Sequence, residues 1–346
     1  MFTIGQREIG PGKPVYVVAE MSANHAQDLA QAERIVRAAA EAGADAVKLQ
    51  TYTPDTLTID CDRDTFRPGG TIWEGQTLYD LYSEAYTPWE WHPRLSEVAA
   101  DSGLDLFSTP FDSTAVDFLE EMRVPAYKVA SFELVDLPLI RRVARTGKPL
   151  ILSTGMATLA EIDEAVRAAR AAGGGPIALL KCTSAYPARP EEMNLRTIPH
   201  LAEAFGAVIG LSDHSLGIAA PVVAVALGAC IVEKHLTLSR SLQGPDSSFS
   251  LEPDEFRSMV DAIREAEKAL GEVRYDASEK ESASRAFRRS LFVVQAVREG
   301  ELFTEENVRS IRPGMGLHTR YLAQVLGRRA RCDIERGTPL AWDLVS

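Results

Sequence analysis

His214 and His235 each end a short apolar run, VIGLSDH and CIVEKH. Two imidazoles at the ends of neighbouring strands can share one divalent ion whose open positions take water and a substrate oxygen, a Lewis-acid arrangement. Catalytic zinc normally takes three protein ligands, so two histidines suit manganese or magnesium with several waters, with cobalt a third choice. The alternative is a core position or a general base. The lysines are placed as unevenly. Of only eight, four (Lys48, Lys128, Lys181 and Lys234) lie inside apolar runs, where an unpaired ammonium group costs several kcal/mol. Lys48 and Lys128 are expected to point inward beside Thr109, Ser131 and Ser153. Two cations and three hydroxyls make a phosphate site; the alternative is a local carboxylate for each lysine. That alternative is the expectation for Lys181 and Lys234, whose strand parity opposes that of Ser184 and of Glu233 and His235. Glu20, Glu133 and Glu233 belong to the same strand-end set and can move protons. His25 is read as orienting a loop.

Such a set needs a scaffold that gathers strand ends. Eight apolar runs supply it, at 15–21, 46–52, 105–111, 126–131, 149–155, 177–184, 208–214 and 230–237. They are continuous in Val, Ile and Leu rather than alternating, as in parallel strands buried on both faces. Amphipathic segments separate them. Leu29, Ala32, Ile35, Val36, Ala39 and Ala40 recur at helical spacing before Gly43. Thr158 and Glu161 form a capping box ahead of Ile162, Val166 and Ala169, and Pro253 opens a last helix running to Leu270. Eight βα units predict an α/β fold, a TIM (β/α)8 barrel rather than an open doubly wound sheet. No G-x-G-x-x-G follows the first run. The polar residues fall near the C-terminal ends of the runs, the face that carries the active site in such barrels. One connection, 53–87, is far longer than a usual βα loop. Its Trp73, Tyr79, Tyr82 and Tyr86 predict an ordered loop on the substrate side.

The 346 residues are 45% hydrophobic and 25% charged, with a formal net charge of −12. That balance suits a folded protein with a sizeable core and disfavours nucleic-acid or anionic-membrane partners. No basic start followed by an apolar stretch is present and no run approaches the ~18 residues of a membrane span, so a cytoplasmic protein is expected. Cys61, Cys182, Cys230 and Cys332 form no CxxC pair and are read as reduced thiols. After Gly271 the composition turns polar. The expected division is a catalytic barrel at 1–271, a linker at 272–285 and a β-rich unit at 286–346, with turns at Glu299-Gly300, Pro313-Gly314 and Arg336-Gly337. The last unit's core is small for independent stability. It is expected to dock on its own barrel or on a partner's.

The runs AEMSANHAQD (19–28), GADAVKLQTY (43–52), STPFD (108–112), LSTGM (152–156), GLSDHS (210–215) and EKHLT (233–237) together resemble the sialic acid synthase superfamily. RRSLF (288–292) and IRPGMG (311–316) resemble that family's C-terminal antifreeze-like (SAF) domain. Within the superfamily, TIWEGQTLYDLYSEAYTPWEWH (71–92) is similar to the pattern of pseudaminic acid synthases. So is Gln27-Asp28, where N-acetylneuraminate synthases usually carry Gly-Asp. Ser184 stands where the latter set an asparagine against their sugar.

The resemblance implies phosphoenolpyruvate on Lys48, Thr109, Lys128, Ser131 and Ser153, and a divalent metal, manganese first, on His214 and His235. It implies that Glu133 positions or deprotonates water, with Glu20 and Glu233 as further catalytic carboxylates. Asn24, Gln50, Ser184, Tyr186 and Asp246 would contact the sugar, with Glu20. It also implies a homodimer with swapped C-terminal domains, Arg312 reaching the site from the other subunit. The implied reaction joins phosphoenolpyruvate, water and an amino-sugar aldehyde and releases phosphate. For a pseudaminic acid synthase the sugar is 2,4-diacetamido-2,4,6-trideoxy-β-L-altropyranose. The competing readings are the same chemistry on N-acetylmannosamine or the legionaminic acid precursor, a pyruvate aldolase on the same barrel, and a noncatalytic glycan-binding protein.

Overall fold

The computed structural model describes residues 1–346 except Thr71 and Gln243; Thr71, the first residue of the loop motif, thus lies outside the described residues. Two compact units divide the chain, Met1–Gly271 and Glu272–Ser346. In the first, all eight apolar runs become strands, each a little shorter than its run. They are β1 (Tyr16–Glu20), β2 (Ala46–Thr51), β3 (Asp105–Pro110), β4 (Tyr127–Val129), β5 (Leu150–Ser153), β6 (Ile177–Cys182), β7 (Val208–Asp213) and β8 (Ile231–His235). They pair in parallel in chain order, and β8 returns to β1 from Ile231 opposite Tyr16 to His235 opposite Glu20, closing the barrel. The register sets the site: Lys48 lies level with Glu20, and Gln50 with Thr109.

Local chemistry fixes the helices that hold these strands. Asp28 accepts from the Ala30 N–H ahead of Leu29–Glu41, whose Ile35, Val36 and Ala39 face the core. Thr158 and Glu161 form the expected box at Leu159–Ala171, and Pro253 opens Pro253–Leu270. Such caps each contribute about 1 kcal/mol. The connection 53–87 is built rather than loose, with helices at Pro54–Leu57 and Leu78–Ala85. Its return is pinned to the barrel. His25 is buried and its Nε2 lies 3.2 Å from Thr87 Oγ1, while Trp89 Nε1 donates to the Tyr52 carbonyl at 3.0 Å.

A hairpin of Phe2–Ile4 and Arg7–Ile9 was not foreseen, because three-residue strands show no legible alternation. Gly5 turns it at φ +56, and a Cβ there would meet Asp105 Oδ1 at 2.1 Å. Arg7 pairs with Asp105 at 3.2 Å and Asp45 at 3.4 Å, and Ile4 and Ile9 join Tyr16 and Phe107 in the core. These contacts seat the hairpin at the start of the strands, away from the polar ends.

Of the two outward lysines, Lys234 has the expected carboxylate, Asp213, at 2.6 Å with both side chains fully buried. Lys234→Met would strand the Asp213 charge, so a urea titration should show a loss of about 3–5 kcal/mol in unfolding free energy. Lys181 departs from expectation: its Nζ donates to the Cys182 carbonyl at 2.7 Å and to Thr183 Oγ1 at 3.3 Å. It is only partly buried, so water completes its solvation and no carboxylate is needed.

The second unit pairs β9 (Ser290–Val293) with β10 (Val308–Ile311), antiparallel, over a core of Leu291, Val293, Phe303, Val308, Ile334 and Leu340. The IRPGMG motif needs its last glycine, since a Cβ on Gly316 would lie 2.2 Å from the Leu291 carbonyl oxygen. The stretch read as linker holds one short exposed helix, Glu279–Ser284, capped by Ser278 and Glu281. The four cysteines are free thiols. Among the described residues no helix is long and apolar enough to cross a membrane.

Candidate active site

A cavity of about 360 Å³ opens at the C-terminal strand ends. Glu20, Lys48, Gln50, Lys128, Ser131, Glu133, Ser153, Tyr186, His214, Glu233, His235 and Asp246 all line it. Thr109 lies just behind, accepting from Lys48 Nζ at 3.2 Å. Ser184 sits behind Gly155, where an added Cβ would come within 2.2 Å of its hydroxyl and 2.7 Å of that of Ser131. That approach explains the glycine of LSTGM. Asn24 is buried and does not line the cavity; its amide donates to the Leu236 carbonyl at 3.0 Å and Ser250 Oγ at 2.9 Å, which braces the loop after β8. Arg312 belongs to the second unit, where it is exposed.

The two inward lysines are carboxylate-paired, the alternative weighed for them. Lys48 Nζ lies 2.5 Å from Glu20 and 3.8 Å from Glu233, and Lys128 Nζ lies 3.5 Å from Glu233. Burial opposes every one of these charges. It wins at Glu20, whose carboxyl is pushed up despite Lys48, and at Lys128, whose ammonium is pushed down despite Glu233. It loses at Glu233, where Lys128, Lys48 and the Ser212 hydroxyl at 3.1 Å hold the carboxyl below its usual range. It loses at Lys48 too, which Glu20 and Glu233 hold above its usual range. Beside them the buried Ser153 hydroxyl has no hydrogen-bond partner among the described residues, while Ser131 Oγ accepts from the Gly155 N–H at 3.1 Å. An orphaned buried hydroxyl costs about 1–3 kcal/mol, which a bound anion would recover.

Polar groups of another kind flank this well. Gln50 Nε2 donates to Glu20 at 3.1 Å and to Ser22 Oγ at 2.9 Å, and the Ser22 hydroxyl donates in turn to Asp246. Burial pushes the Asp246 carboxyl up against that bond. Burial likewise lifts Glu133 to about 7, against its own backbone N–H and Lys128, and its Oε2 has no partner among the described residues. A carboxyl tuned near neutrality and left unspent is suited to taking a proton.

His214 and His235 face each other with ring centroids 5.3 Å apart. The Nδ1 of His214 is used on the Thr183 carbonyl at 3.0 Å, and among the described residues the buried Nδ1 of His235 has no partner. Burial first, then His214 and the nearby lysines, push His235 well below the usual imidazole range, so it is neutral with lone pairs free. Among the described residues no group of three or more His, Cys, Asp or Glu is placed to hold a metal. Two imidazoles with an unspent buried nitrogen fit an ion that keeps several waters, as manganese or magnesium does.

Sequence reading missed two parts of the lining. One is Cys182, whose Sγ lies 3.8 Å from His214 Nδ1; burial opposes its ionisation, but His214, Ser131 and Lys128 hold it at about 7. The sequence reads it only as a reduced thiol, because its spacing carries no motif. The other is an apolar wall from the long loop, including Leu57, Leu78 and Leu81. Three leucines in an irregular connection show no periodicity to point to them.

The NeuB family model matches residues 35–275 and the SAF domain model residues 288–346. The chain is 47% identical over 328 residues to the pseudaminic acid synthase of Campylobacter jejuni, covering 95% of this chain and 96% of that one. It is 46% identical over 332 residues to that of Helicobacter pylori, covering 96% and 98%. Among solved structures, the spore coat polysaccharide biosynthesis protein SpsE of Bacillus subtilis aligns at TM-score 0.68 and 38% identity, covering 100% of this chain and 99% of that one. The barrel, its ring of inward polar strand ends and the trailing domain thus have one explanation: the chain belongs to the NeuB family.

Proposed function

We propose that the protein condenses phosphoenolpyruvate with 2,4-diacetamido-2,4,6-trideoxy-β-L-altropyranose and water, giving pseudaminic acid and phosphate. One observation carries this reading: a well of two buried lysines, with a buried serine hydroxyl unpartnered among the described residues, shares a cavity with two adjacent imidazoles. Similarity to pseudaminic acid synthases supports the choice of sugar.

In this account Lys48, Lys128, Ser131 and Ser153 hold the phosphate and carboxylate of phosphoenolpyruvate, and Thr109 steadies Lys48. Gln50, Tyr186 and Asp246 orient the open-chain sugar so that its aldehyde lies beside His214 and His235. His214 and His235 would hold a divalent ion, manganese first, which when bound would supply Lewis-acid polarisation of the aldehyde oxygen. The methylene carbon of phosphoenolpyruvate bonds to the aldehyde carbon, leaving positive character on the neighbouring carbon. Glu133 takes a proton from the water that adds there, and the carbon–oxygen bond to phosphate then breaks. Orienting two substrates in this way is worth about 7–11 kcal/mol. The reading includes a homodimer in the cytoplasm whose second unit brings Arg312 to the partner's site.

Phosphate release measured with three sugars checks the substrate. The altrose derivative is expected to support turnover, with N-acetylmannosamine and the legionaminic acid precursor at least tenfold slower in kcat/KM. A faster rate with either of the others would reassign the sugar.

A further inference from the structure

The chain leaves β1 by an uncommon backbone path. Met21 still follows the strand, its N–H donating to the Lys48 carbonyl at 3.1 Å. Ser22 then turns at φ +45 and opens the 3-10 helix Ser22–His25. That left-handed region favours glycine, because a Cβ crowds the backbone there. Ala26, at φ +48, has an ordinary reason for the same conformation, since it caps the end of that helix. Ser22 stands at the other end, where no left-handed cap is called for. A non-glycine residue held this way points to a demand on its side chain.

The hydroxyl shows what that demand is. Ser22 is buried and lines the cavity. Its Oγ accepts from Gln50 Nε2 at 2.9 Å and donates to Asp246. Gln50 gives its other amide hydrogen to Glu20 at 3.1 Å, so its nitrogen has none left. Asp246 Oδ2 takes the Ser22 hydroxyl, with the Ala23 N–H at 3.5 Å. Among the described residues no hydrogen bond reaches Gln50 Oε1 or Asp246 Oδ1. One hydroxyl thus decides which atoms of two cavity-lining neighbours remain for a ligand, and both are oxygens. Its bond also works against the burial that pushes the Asp246 carboxyl up, which favours an acceptor at Oδ1.

We infer that Ser22 is a positioning residue for the sugar. Placed by the left-handed turn, its hydroxyl orients Gln50 and Asp246 so that both present acceptor oxygens to the hydroxyl and amide N–H groups of the aldose. The inference rests on the condensation reading and adds the residue that sets the polarity of the sugar subsite. Without the hydroxyl, Gln50 is free to turn its amide and Asp246 loses a donor. The phosphoenolpyruvate well is untouched by that loss, because Lys48 keeps Glu20 at 2.5 Å and Thr109 at 3.2 Å.

Ser22→Ala and Ser22→Gly separate the hydroxyl from the backbone. Both lose the hydroxyl and only alanine keeps the strained turn, so the glycine variant should melt a few degrees above the alanine variant. Measured by phosphate release, each should raise the KM of the sugar about tenfold, the size of one or two lost hydrogen bonds, with that of phosphoenolpyruvate unmoved. An equal loss in two variants of different stability is not what a merely structural residue would give. Glycine adopts φ +45 without strain, so Ser22→Gly keeps the test open if Ser22→Ala folds poorly. A sugar KM that is unchanged in folded Ser22→Gly, or that follows melting temperature across the two variants, overturns the role of Ser22 and leaves the condensation intact. No phosphate release by wild type with any of the three sugars overturns the condensation and this role with it.

Discussion

His235→Ala is expected to lower kcat at least a thousandfold and to abolish uptake of one manganese per chain, measured by calorimetry on protein stripped with a chelator. The size follows from the several kcal/mol that a Lewis acid supplies at a polarised carbonyl. The location follows from the structure. His235 is buried, its Nδ1 has no partner, and burial together with His214 and the lysines keeps it neutral. With two protein donors in the site, losing one leaves a single imidazole. Chelation of the wild type should stop phosphate release and added manganese should restore it. Full activity of chelated protein would remove His214 and His235 from the chemistry.

Glu133→Gln carries the second large effect, a loss of about 10²–10⁴ in kcat, the usual contribution of a placed general base. Its pH signature is more specific than its size. Burial lifts this carboxyl to about 7, and only the ionised form accepts a proton, so activity should rise as pH increases through about 7. The glutamine variant should lose that rising limb and keep its affinity for phosphoenolpyruvate, since Glu133 lies beside the lysine well rather than within it. A limb that survives in the variant would assign the titration to another group; Cys182, also held at about 7, would then be the one to replace.

The barrel was legible because its signal is repeated. Eight continuous Val, Ile and Leu runs at regular intervals leave few alternatives, and the polar residue near each end marks the functional face. Lys48 and Lys128 were read correctly as inward because strand parity fixes direction. Parity says nothing about partners, so their pairing with Glu20 and Glu233 emerged only from distances. The place of Asn24 was not legible either: its amide faces Leu236 and Ser250 because the chain turns through a short 3-10 helix at Ser22–His25. The leucine wall was hidden for a third reason: a loop contributes side chains by its path, and paths of some 35 residues are not written in any period.

The four charges at the foot of the cavity bear on how an anion gains entry. Two lysines facing two glutamates pair internally, and Glu20 and Glu233 hold the Lys48 ammonium above its usual range while burial pushes that of Lys128 down. In the proposed reaction an arriving phosphoenolpyruvate would displace a carboxylate from those lysines, and Glu20 is the one suited to yield, because burial pushes its carboxyl up despite Lys48. Its retreat from Lys48 ends in capture of a proton, which couples occupancy of the well to hydrogen-ion activity. Affinity for the anion therefore strengthens towards acid and fades towards alkali, on the opposite slope to the proton abstraction at Glu133. Turnover is squeezed between the two.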